Sequence, residues 1–517
     1  MPDSQVFEMQ SWFRNMAERL LPLPRNQSGM GVDETFAVLA EELPITRLGI
    51  DSGTAVLDWT VPPRWDLRRA TIMADVENSA PLVDSSESLL HVVAGSQPID
   101  QILSAAELRP HLTTLPEFPG RIAYRTCFGR DDWGFCVRGD QFQTLMNGGP
   151  WHVQIDASVA AGPMSIAEAF WPPRQTCDGE TVDDGLPEFL VHTHTCHPNL
   201  GNDNLSGILV AAAWLRCLKS EPAFAPERCP VRFRFVFAAA TIGPIAYLAI
   251  RGPELVDRVR GGLVLTLLGG NVPPTYKRSR HATDLINDIC ERTLAFRENG
   301  FRARPFTASG YDERQYNSPG FDLPIGRLSR HVEGEFDEYH TSADDRRFLD
   351  PADLMQSLSW CQAIGMAFMQ RADELLQLSK PAASGRGVME VASEHAMQLD
   401  SEMRLDGVAV STRPFGEPNL RRHDLHRAMG QRDDRGDFQA CMMTLLNAAD
   451  GRRTLESIAE GRPFPASRWT EVAMALRSCG LLRLYDPGVL QSGGSRLSCP
   501  SSLAPGKYTE TPPPVAD

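Results

Sequence analysis

A polar, histidine-rich segment that joins a short apolar strand to a helix constrains the fold more than any other feature of this sequence. Residues 189–193 are predicted to form the strand, and residues 205–218 have the apolar spacing of a helix. Between them lie His194, His197 and Asp203. Because open α/β sheets bind ligands where a strand ends and a helix begins, the segment predicts a site at the end of a buried strand.

The sequence around this segment alternates strand and helix in the same way. Residues 231–239 and 262–268 are apolar and predicted to be strands, residues 245–250 begin a helix, and residues 352–376 form a long one. This alternation predicts an α/β domain in which helices flank a sheet.

The remainder of the chain divides into smaller units. A length of 517 residues predicts two to four domains. Short alternating segments separated by turn residues indicate a β-rich insert, and a Gly/Ser-rich break at 382–387 precedes a small helical unit that ends in a predicted β-wing. The expected units are an N-terminal helical part of the α/β domain at 1–63, the β-rich insert at 64–165, the main part of the α/β domain at 166–380, a winged-helix-like domain at 388–488 and a disordered tail at 489–517.

The charge and composition of the chain exclude some classes of partner. A formal net charge of −15 argues against general affinity for nucleic acid or anionic membranes. No apolar run reaches the roughly 18 residues that span a bilayer. The eleven cysteines are scattered and do not resemble a disulfide framework. We therefore expect a cytoplasmic protein whose partner is a small-molecule or short peptide-like substrate, with no nucleic acid and no membrane partner, and homo-oligomerisation is left open.

The winged-helix-like unit raises DNA binding as an alternative. Its stretch Arg421, Arg422 and Arg427 is basic, and a winged helix can place a helix in the major groove. Acidic residues are frequent around this stretch, however. A packing or dimerisation role is therefore the favoured interpretation of this unit.

Two separate segments carry the residue types of a metal site. His197 and Asp203 are six residues apart across a turn and can converge on one ion, and zinc prefers imidazole nitrogen and carboxylate oxygen. Far away in sequence, His340 is flanked by acids that can orient it. His192 and His194 share one strand face; both are further ligand candidates, although a packed, hydrogen-bonded role is favoured for them. The alternative is that these groups are scattered over the surface.

These motifs resemble those of a known family. The sequences Cys-His-Pro at 196–198 and Asn-Asp-Asn-Leu-Ser-Gly at 202–207 resemble the zinc-aminopeptidase-like family often encoded among polysaccharide and natural-product biosynthesis genes, a remote relative of the two-zinc aminopeptidases. The similarity covers nearly the whole chain, and it implies a sheet of the phosphorylase/hydrolase type flanked by helices. It continues through the segments 235–247, 276–280, 312–323 and 335–342, and through 414–418 at the start of the winged-helix-like unit.

The resemblance implies a particular metal centre. It assigns His197, Asp203 and His340 as zinc ligands. The two further acidic ligands of the two-zinc relatives correspond to Thr241 and Thr266 in this chain, and threonine is a poor zinc ligand. The resemblance therefore implies one zinc ion rather than two.

One departure from the family affects the chemistry. Where the family typically reads Pro-Glu-Thr-Ile-Gly, this chain reads Ala-Ala-Thr-Ile-Gly at 239–243, so Ala240 stands where the resemblance implies the general-base Glu. Such a base contributes roughly 10²–10⁴-fold to the rate. Three interpretations remain: an engineered Glu→Ala variant, a natural pseudoenzyme that binds without cutting, or replacement of the base by another acid, for which Asp312 and Glu313 are the candidates.

The sequence defines the residues that contact substrate less well than the metal ligands. Arg280 and Arg314 belong to a sparse basic set near the expected mouth of the site, which either recognises a carboxylate or phosphate or is solvated surface. Tyr316 and Tyr339 are also expected to contact substrate. The expected reaction is zinc-dependent hydrolysis of an aminoacyl or acyl amide of a small biosynthetic intermediate, disabled here at Ala240. A binding or regulatory protein and a cyclising acyl transfer are the alternatives.

Overall fold

A computed structural model describes residues 3–377 apart from 175, 178–179 and 182–183, residues 406–485 apart from 426–428, 430–431 and 433, and residues 507–512. In the part of the chain thus described, no helix is both long and apolar enough to cross a membrane. The described α-helices are α1 Asp3–Leu20, α2 Met30–Ala40, α3 Ala105–Leu108, α4 Gly139–Asn147, α5 Gly207–Ser220, α6 Ile242–Arg258, α7 Leu285–Arg297, α8 Glu313–Tyr316, α9 Pro351–Met369, α10 Ala372–Gln377, α11 Arg435–Ala448, α12 Leu455–Ala459 and α13 Ala466–Ser478.

The strands form one large sheet and several small ones. They are β1 Thr46–Asp51, β2 Ala55–Val56, β3 Trp59–Thr60, β4 Arg64–Ala74, β5 Pro81–Asp84, β6 Ile99–Leu103, β7 Leu112–Thr113, β8 Phe135–Cys136, β9 Trp151–Ala160, β10 Pro163–Trp171, β11 Thr176–Cys177, β12 Glu180–Thr181, β13 Glu188–His194, β14 Arg232–Ala238, β15 Val259–Leu265, β16 Thr275–Lys277, β17 Arg302–Arg304, β18 Ile325–Ser329, β19 Val408–Ser411, β20 Asp450–Thr454, β21 Leu482–Tyr485 and β22 Tyr508–Thr511.

The central sheet has nine strands in the order β17-β16-β18-β15-β13-β14-β10-β1-β22. Its middle strands are parallel: β13 pairs with β14 and β15, and β15 pairs with β18. On one side β10 and β1 continue the sheet in antiparallel pairing. Strand β13 is therefore surrounded by parallel neighbours, and its carboxyl end lies at the middle of the sheet edge where such folds bind ligands.

Helices cover both faces of this sheet. A large apolar cluster on one face includes side chains of α1, α5 and α9, with Trp214 and Trp360 fully buried in it. A second cluster on the other face is built around α6. The central strands β13, β14 and β15 are buried along their whole length, as expected for parallel strands packed on both sides. These observations confirm the predicted α/β class.

The β-rich insert forms a separate four-stranded sheet in the order β5-β4-β9-β6, with its own apolar core. Its last strand ends at Ala160, and Pro163 already pairs with Asp51 in the central sheet. The insert therefore leaves and re-enters the central domain over only a few residues. The predicted end of the insert, residue 165, falls within β10, and β10 belongs to the central sheet rather than to the insert.

The unit at 406–485 combines helices α11, α12 and α13 with a three-stranded sheet in the order β20-β19-β21. The predicted helices at 437–447, 455–460 and 469–478 are confirmed, as is the final strand of the β-wing. A core of its own holds the unit together, including the fully buried Trp469. The predicted Gly/Ser-rich break at 382–387 and Arg427 lie outside the described residues.

The structure differs from the sequence predictions at three places. Residues 89–94 do not form a strand: Leu89–His91 is a 3-10 turn, which the Ser88 side chain caps by accepting from the Leu90 amide. The long predicted helix at 352–376 is divided into α9 and α10. The tail at 489–517 was expected to be disordered, whereas Tyr508–Thr511 forms β22, which pairs with β1 and completes the edge of the central sheet; the residues of this tail on either side of 507–512 are not described.

Candidate metal centre

Strand β13 carries two histidines to the edge of the sheet. His192 and His194 are both fully buried, and they are the third-last and last residues of the strand. Because alternate residues of a strand point to the same side, the two rings lie on one face. The chain then turns through His197, whose positive φ of 81° marks a sharp bend, and reaches Asp203 in the irregular turn Gly201–Ser206 before α5 begins.

Three imidazoles surround the Asp203 carboxylate. His194 Nε2 lies 2.8 Å from Asp203 Oδ1, and His340 Nε2 lies 3.0 Å from Asp203 Oδ2. His197 Nε2 is 3.8 Å from the same Oδ2. The ligand atoms of His194, His197 and Asp203 all lie within 4.8 Å of one another. Thus the structure brings His197, Asp203 and His340 together and adds His194.

Burial determines the protonation of this group. Burial, opposed by the Asp203 carboxylate, lowers the pKa of His197 to about 3. Burial alone would raise the pKa of Asp203, but the charges and hydrogen bonds of His197, His194 and His340 hold that pKa well below its usual range. At neutral pH the site therefore holds a carboxylate next to a neutral His197 imidazole, which is the form that binds a metal.

The turn that carries Asp203 is fixed by hydrogen bonds from the second segment. The buried Asp344 carboxylate accepts from the backbone N–H groups of Asn202 and Asp203, at 2.5 Å and 2.9 Å. The Gly201 amide donates to the Asp344 carbonyl at 3.0 Å. Asn204 donates from its side-chain amide to the His194 carbonyl at 3.0 Å. These bonds fix the position of the turn that carries Asp203 relative to the segment that carries His340.

Aromatic rings form the walls of the centre. Tyr339 stacks on His340, with ring centroids 3.9 Å apart, and Tyr311 stacks on His194 at 5.0 Å. Tyr124, from the β-rich insert, packs against both His197 and His340, at 4.7 Å and 5.1 Å. Its backbone amide also donates to the His340 carbonyl at 2.7 Å. The insert therefore contributes directly to this site.

His194, His197, Asp203 and His340 form a donor set that fits a zinc ion. Three imidazoles and one carboxylate are the ligand types that zinc prefers. In addition, the buried Nδ1 atoms of His194 and His197 have no hydrogen-bond partner among the described residues. A buried imidazole nitrogen without a partner is costly, and such an atom in a native site indicates a ligand or water that satisfies it.

The residues predicted to replace the base make other contacts. Asp312 Oδ2 lies 2.9 Å from Nε2 of His192, and the Tyr316 hydroxyl lies 3.1 Å from Nδ1 of the same ring. The fully buried Glu313 accepts from Lys277 Nζ at 2.7 Å. Asp312 and Tyr316 thus bind the two ring nitrogens of His192, and Glu313 belongs to an internal ion pair. These contacts favour positioning roles over a base for both acids.

Ala240 contacts the residue that precedes His197. The Cys196 thiol approaches the Ala240 carbonyl at 3.9 Å, and Cys196 directly precedes His197. The Ala240 side chain is a methyl group, so it offers the centre no proton acceptor. Thr266 is fully buried, and its hydroxyl has no hydrogen-bond partner among the described residues. The structure thus leaves the roles assigned to Ala240, Thr241 and Thr266 by family resemblance as predictions.

The two predicted substrate-binding arginines are engaged elsewhere. Arg280 pairs with Asp322 at 2.9 Å and with Asp450 of the winged-helix-like unit at 2.6 Å. Arg314 pairs with Glu417 at 2.9 Å. Of the four residues predicted to contact substrate, Tyr339 is the one that stacks on a histidine of the donor set. Long-range contacts between the two units, which the sequence pattern does not show, explain this difference.

Sequence reasoning also missed several contributors. Tyr124 and Tyr311 carried no motif that distinguished them from core aromatics. Asp344 was visible only as one of several acids near His340, and its hydrogen bonds to the turn at 202–203 depend on the tertiary fold. His194 is packed and hydrogen-bonded to Asp203, in agreement with the favoured interpretation, and its ring also lies within ligand distance of His197 and Asp203, so its role as a ligand stays a prediction.

The fold and the site define a class of protein. Together they describe an aminopeptidase-like α/β domain with a β-rich insert and a C-terminal winged-helix domain. The chain belongs to the family described as domain of unknown function DUF4910, which matches residues 14–370. A winged helix-turn-helix family matches residues 407–484, in agreement with the three-stranded sheet and helices of that unit.

Two relatives from Clostridium acetobutylicum agree with this assignment. A Clostridium acetobutylicum protein, described as a candidate polysaccharide biosynthesis protein with an aminopeptidase-like domain, is 29% identical over 470 residues, which cover 91% of this chain and 95% of the relative. The crystal structure of a candidate peptidase from Clostridium acetobutylicum matches with a TM-score of 0.62 and 27% identity, covering 93% of this chain and 98% of that one. A zinc aminopeptidase from Bacillus subtilis is more distant, with a TM-score of 0.48 and 11% identity over 69% of this chain and 94% of its own.

Proposed function

We propose that this chain holds one zinc ion with His197, Asp203 and His340, and that the reaction of its scaffold is hydrolysis of an aminoacyl or acyl amide. The observation that carries the proposal is the convergence of three imidazoles on a single buried carboxylate at the end of the central strand. The match to an aminopeptidase-like relative over 91% of the chain supports the reaction type.

Individual residues have separate roles in the proposed zinc site. Bound zinc supplies Lewis acidity, which polarises a carbonyl group and acidifies water. Asp344 and Asn204 hold the turn that presents Asp203. Tyr339 and Tyr124 pack against the His340 ring and restrict its orientation.

A general base is the function that the site lacks. The Ala240 side chain provides no group that accepts a proton, and Asp312 and Glu313 are engaged with His192 and Lys277. We therefore propose that the chain as it stands binds an amide substrate and turns it over slowly. The alternative of a natural binding or regulatory protein rests on the same observation.

The test compares amide hydrolysis by the zinc-loaded chain with that of Ala240→Glu over a panel of aminoacyl and acyl amides. Ala240→Gln is the matched control, because it adds nearly the same side chain without a base. We expect Ala240→Glu to exceed both other proteins by about a hundredfold, the low end for a positioned base. Equal rates for the Glu and Gln variants would refute the base assignment. If all three proteins hold zinc and none cuts, the binding role is favoured.

A further inference from the structure

A basic cavity lies between the α/β domain and the winged-helix-like unit. It has a volume of about 520 Å³, which is within the range of small-molecule sites. The α/β domain contributes one wall, which includes the loop after β16. The winged-helix-like unit contributes the other, from the end of α11, from β20 and from Arg462 after α12. None of its lining residues belongs to the donor set of the metal centre. The cationic residues that line it are Arg278, Arg280, His281, Arg452, Arg453 and Arg462.

Positive charge exceeds negative charge around this cavity. Five arginines line it, while Asp450 is the acid among the lining residues. Asp450 is shared, since it pairs with Arg280 at 2.6 Å and with Arg453 at 3.4 Å. Arg278 is paired with Glu291 at 2.5 Å. Such a concentration of arginine is notable in a chain whose formal net charge is −15, because most of the surface repels anions.

Two arginines have unused capacity to donate hydrogen bonds. Among the described residues, no carboxylate lies within ion-pair distance of Arg462, whose Nε donates to the Ile458 carbonyl at 2.8 Å. Burial and the neighbouring Arg453 lower the pKa of Arg462. The side chain of Arg280 is only 5% exposed, and its Nε has no hydrogen-bond partner in the described part of the chain. Both features indicate that an anion completes the cavity.

We propose that this cavity binds a phosphate-bearing small molecule. Arginine side chains donate charge-assisted hydrogen bonds to phosphate oxygens, and both units contribute arginines to the lining of this cavity. A tetrahedral phosphate group accepts from several directions at once, whereas one planar carboxylate accepts mainly within its own plane. The cavity is larger than a single phosphate ion requires, so the ligand carries a diphosphate or an organic group. Its binding ties the two units together, because each contributes arginines.

Isothermal titration calorimetry of the full chain with inorganic pyrophosphate tests this proposal. We expect saturable binding of one pyrophosphate per chain. Arg462→Gln should weaken the affinity by about tenfold or more, the value of one lost charge-assisted hydrogen bond. The matched control is Arg292→Gln, which removes the same charge from a side chain that is 80% exposed on α7 and leaves the affinity unchanged.

Two further titrations locate the ligand and define its chemistry. The variant His340→Ala disables the metal centre but not the cavity, so it should bind pyrophosphate with unchanged affinity. Loss of binding in that variant would place pyrophosphate on the metal centre and overturn the proposal. Absence of saturable binding, or equal weakening by Arg462→Gln and Arg292→Gln, would also overturn it. Citrate that binds as tightly as pyrophosphate would refute the assignment to phosphate in favour of a carboxylate.

Discussion

Gly201→Ala should disturb the metal centre without touching a ligand. Gly201 lies where the two ligand-bearing segments pack together: its amide donates to the Asp344 carbonyl, and Asp203 follows two residues later. A Cβ added at Gly201 would lie 2.8 Å from the carbonyl carbon of Asp345 and closer still to its oxygen. Because carbon atoms in contact normally lie about 3.5–4.0 Å apart, the segments at 197–203 and 340–345 must separate by roughly 1 Å.

This separation should lower both the stability of the fold and its affinity for zinc. Overpacking of this kind destabilises a protein by about 1–3 kcal/mol. Displacing the groups that support metal ligands typically weakens metal affinity by about 10–100-fold. We therefore expect Gly201→Ala to lower the free energy of unfolding by about 1–3 kcal/mol in urea titrations and to weaken zinc binding by at least about tenfold in competition with a chelator.

The matched control is Gly436→Ala. Gly436 lies in α11, and a Cβ there would meet no atom within 4 Å. Replacing glycine by alanine in a helix is expected to be neutral or to stabilise by up to about 1 kcal/mol. Unchanged zinc affinity in Gly201→Ala would refute the conclusion that the packing of these two segments positions the ligands.

Three further predictions concern the framework. Glu188→Gln removes a carboxylate 2.6 Å from the buried Arg234, so the free energy of unfolding should fall by about 3 kcal/mol in urea titrations. Tyr124→Ala should cost a similar amount, about 3 kcal/mol, and weaken zinc binding, because this ring packs on two histidines of the centre. The hydrogen bond from Arg69 lowers the pKa of Asp84 to about 2, below its ordinary 3.8, so this pair stabilises the fold above about pH 4 and is lost as the pH falls through 2. Asp84→Asn should therefore cost roughly 1 kcal/mol at pH 7, after allowance for solvent screening of the exposed Arg69, and almost nothing near pH 2.

The elements predicted correctly from the sequence are those whose pattern lies in neighbouring residues. The apolar strand, polar turn and helix around His197 are continuous in sequence, and the resemblance of the motifs at 196–207 linked them to the distant His340. The same holds for the helices of the winged-helix-like unit, which have clear apolar spacing. Periodicity was therefore enough to predict the α/β class, and residue type together with the family resemblance predicted the segments that form the centre.

The rest depended on contacts between distant residues. Strand β22 comes from a segment with the composition of a disordered tail, and it is ordered by pairing with β1 some 460 residues earlier. Arg280 and Arg314 were expected at the mouth of the site, but acids of the winged-helix-like unit bind both of them. Tyr124 reaches the centre only because the insert folds back over it. Composition and spacing contain no information on such pairings.

The most direct test of the metal centre is the zinc content and zinc affinity of the chain compared with those of His340→Ala and His152→Ala. His152 is a matched control, because it is a partly exposed histidine of the insert that pairs with Asp100. We expect one zinc ion per chain, retained with unchanged affinity in His152→Ala and weakened by at least about tenfold in His340→Ala. A chain that binds no zinc, or two variants that bind it equally well, would contradict the assignment of the centre.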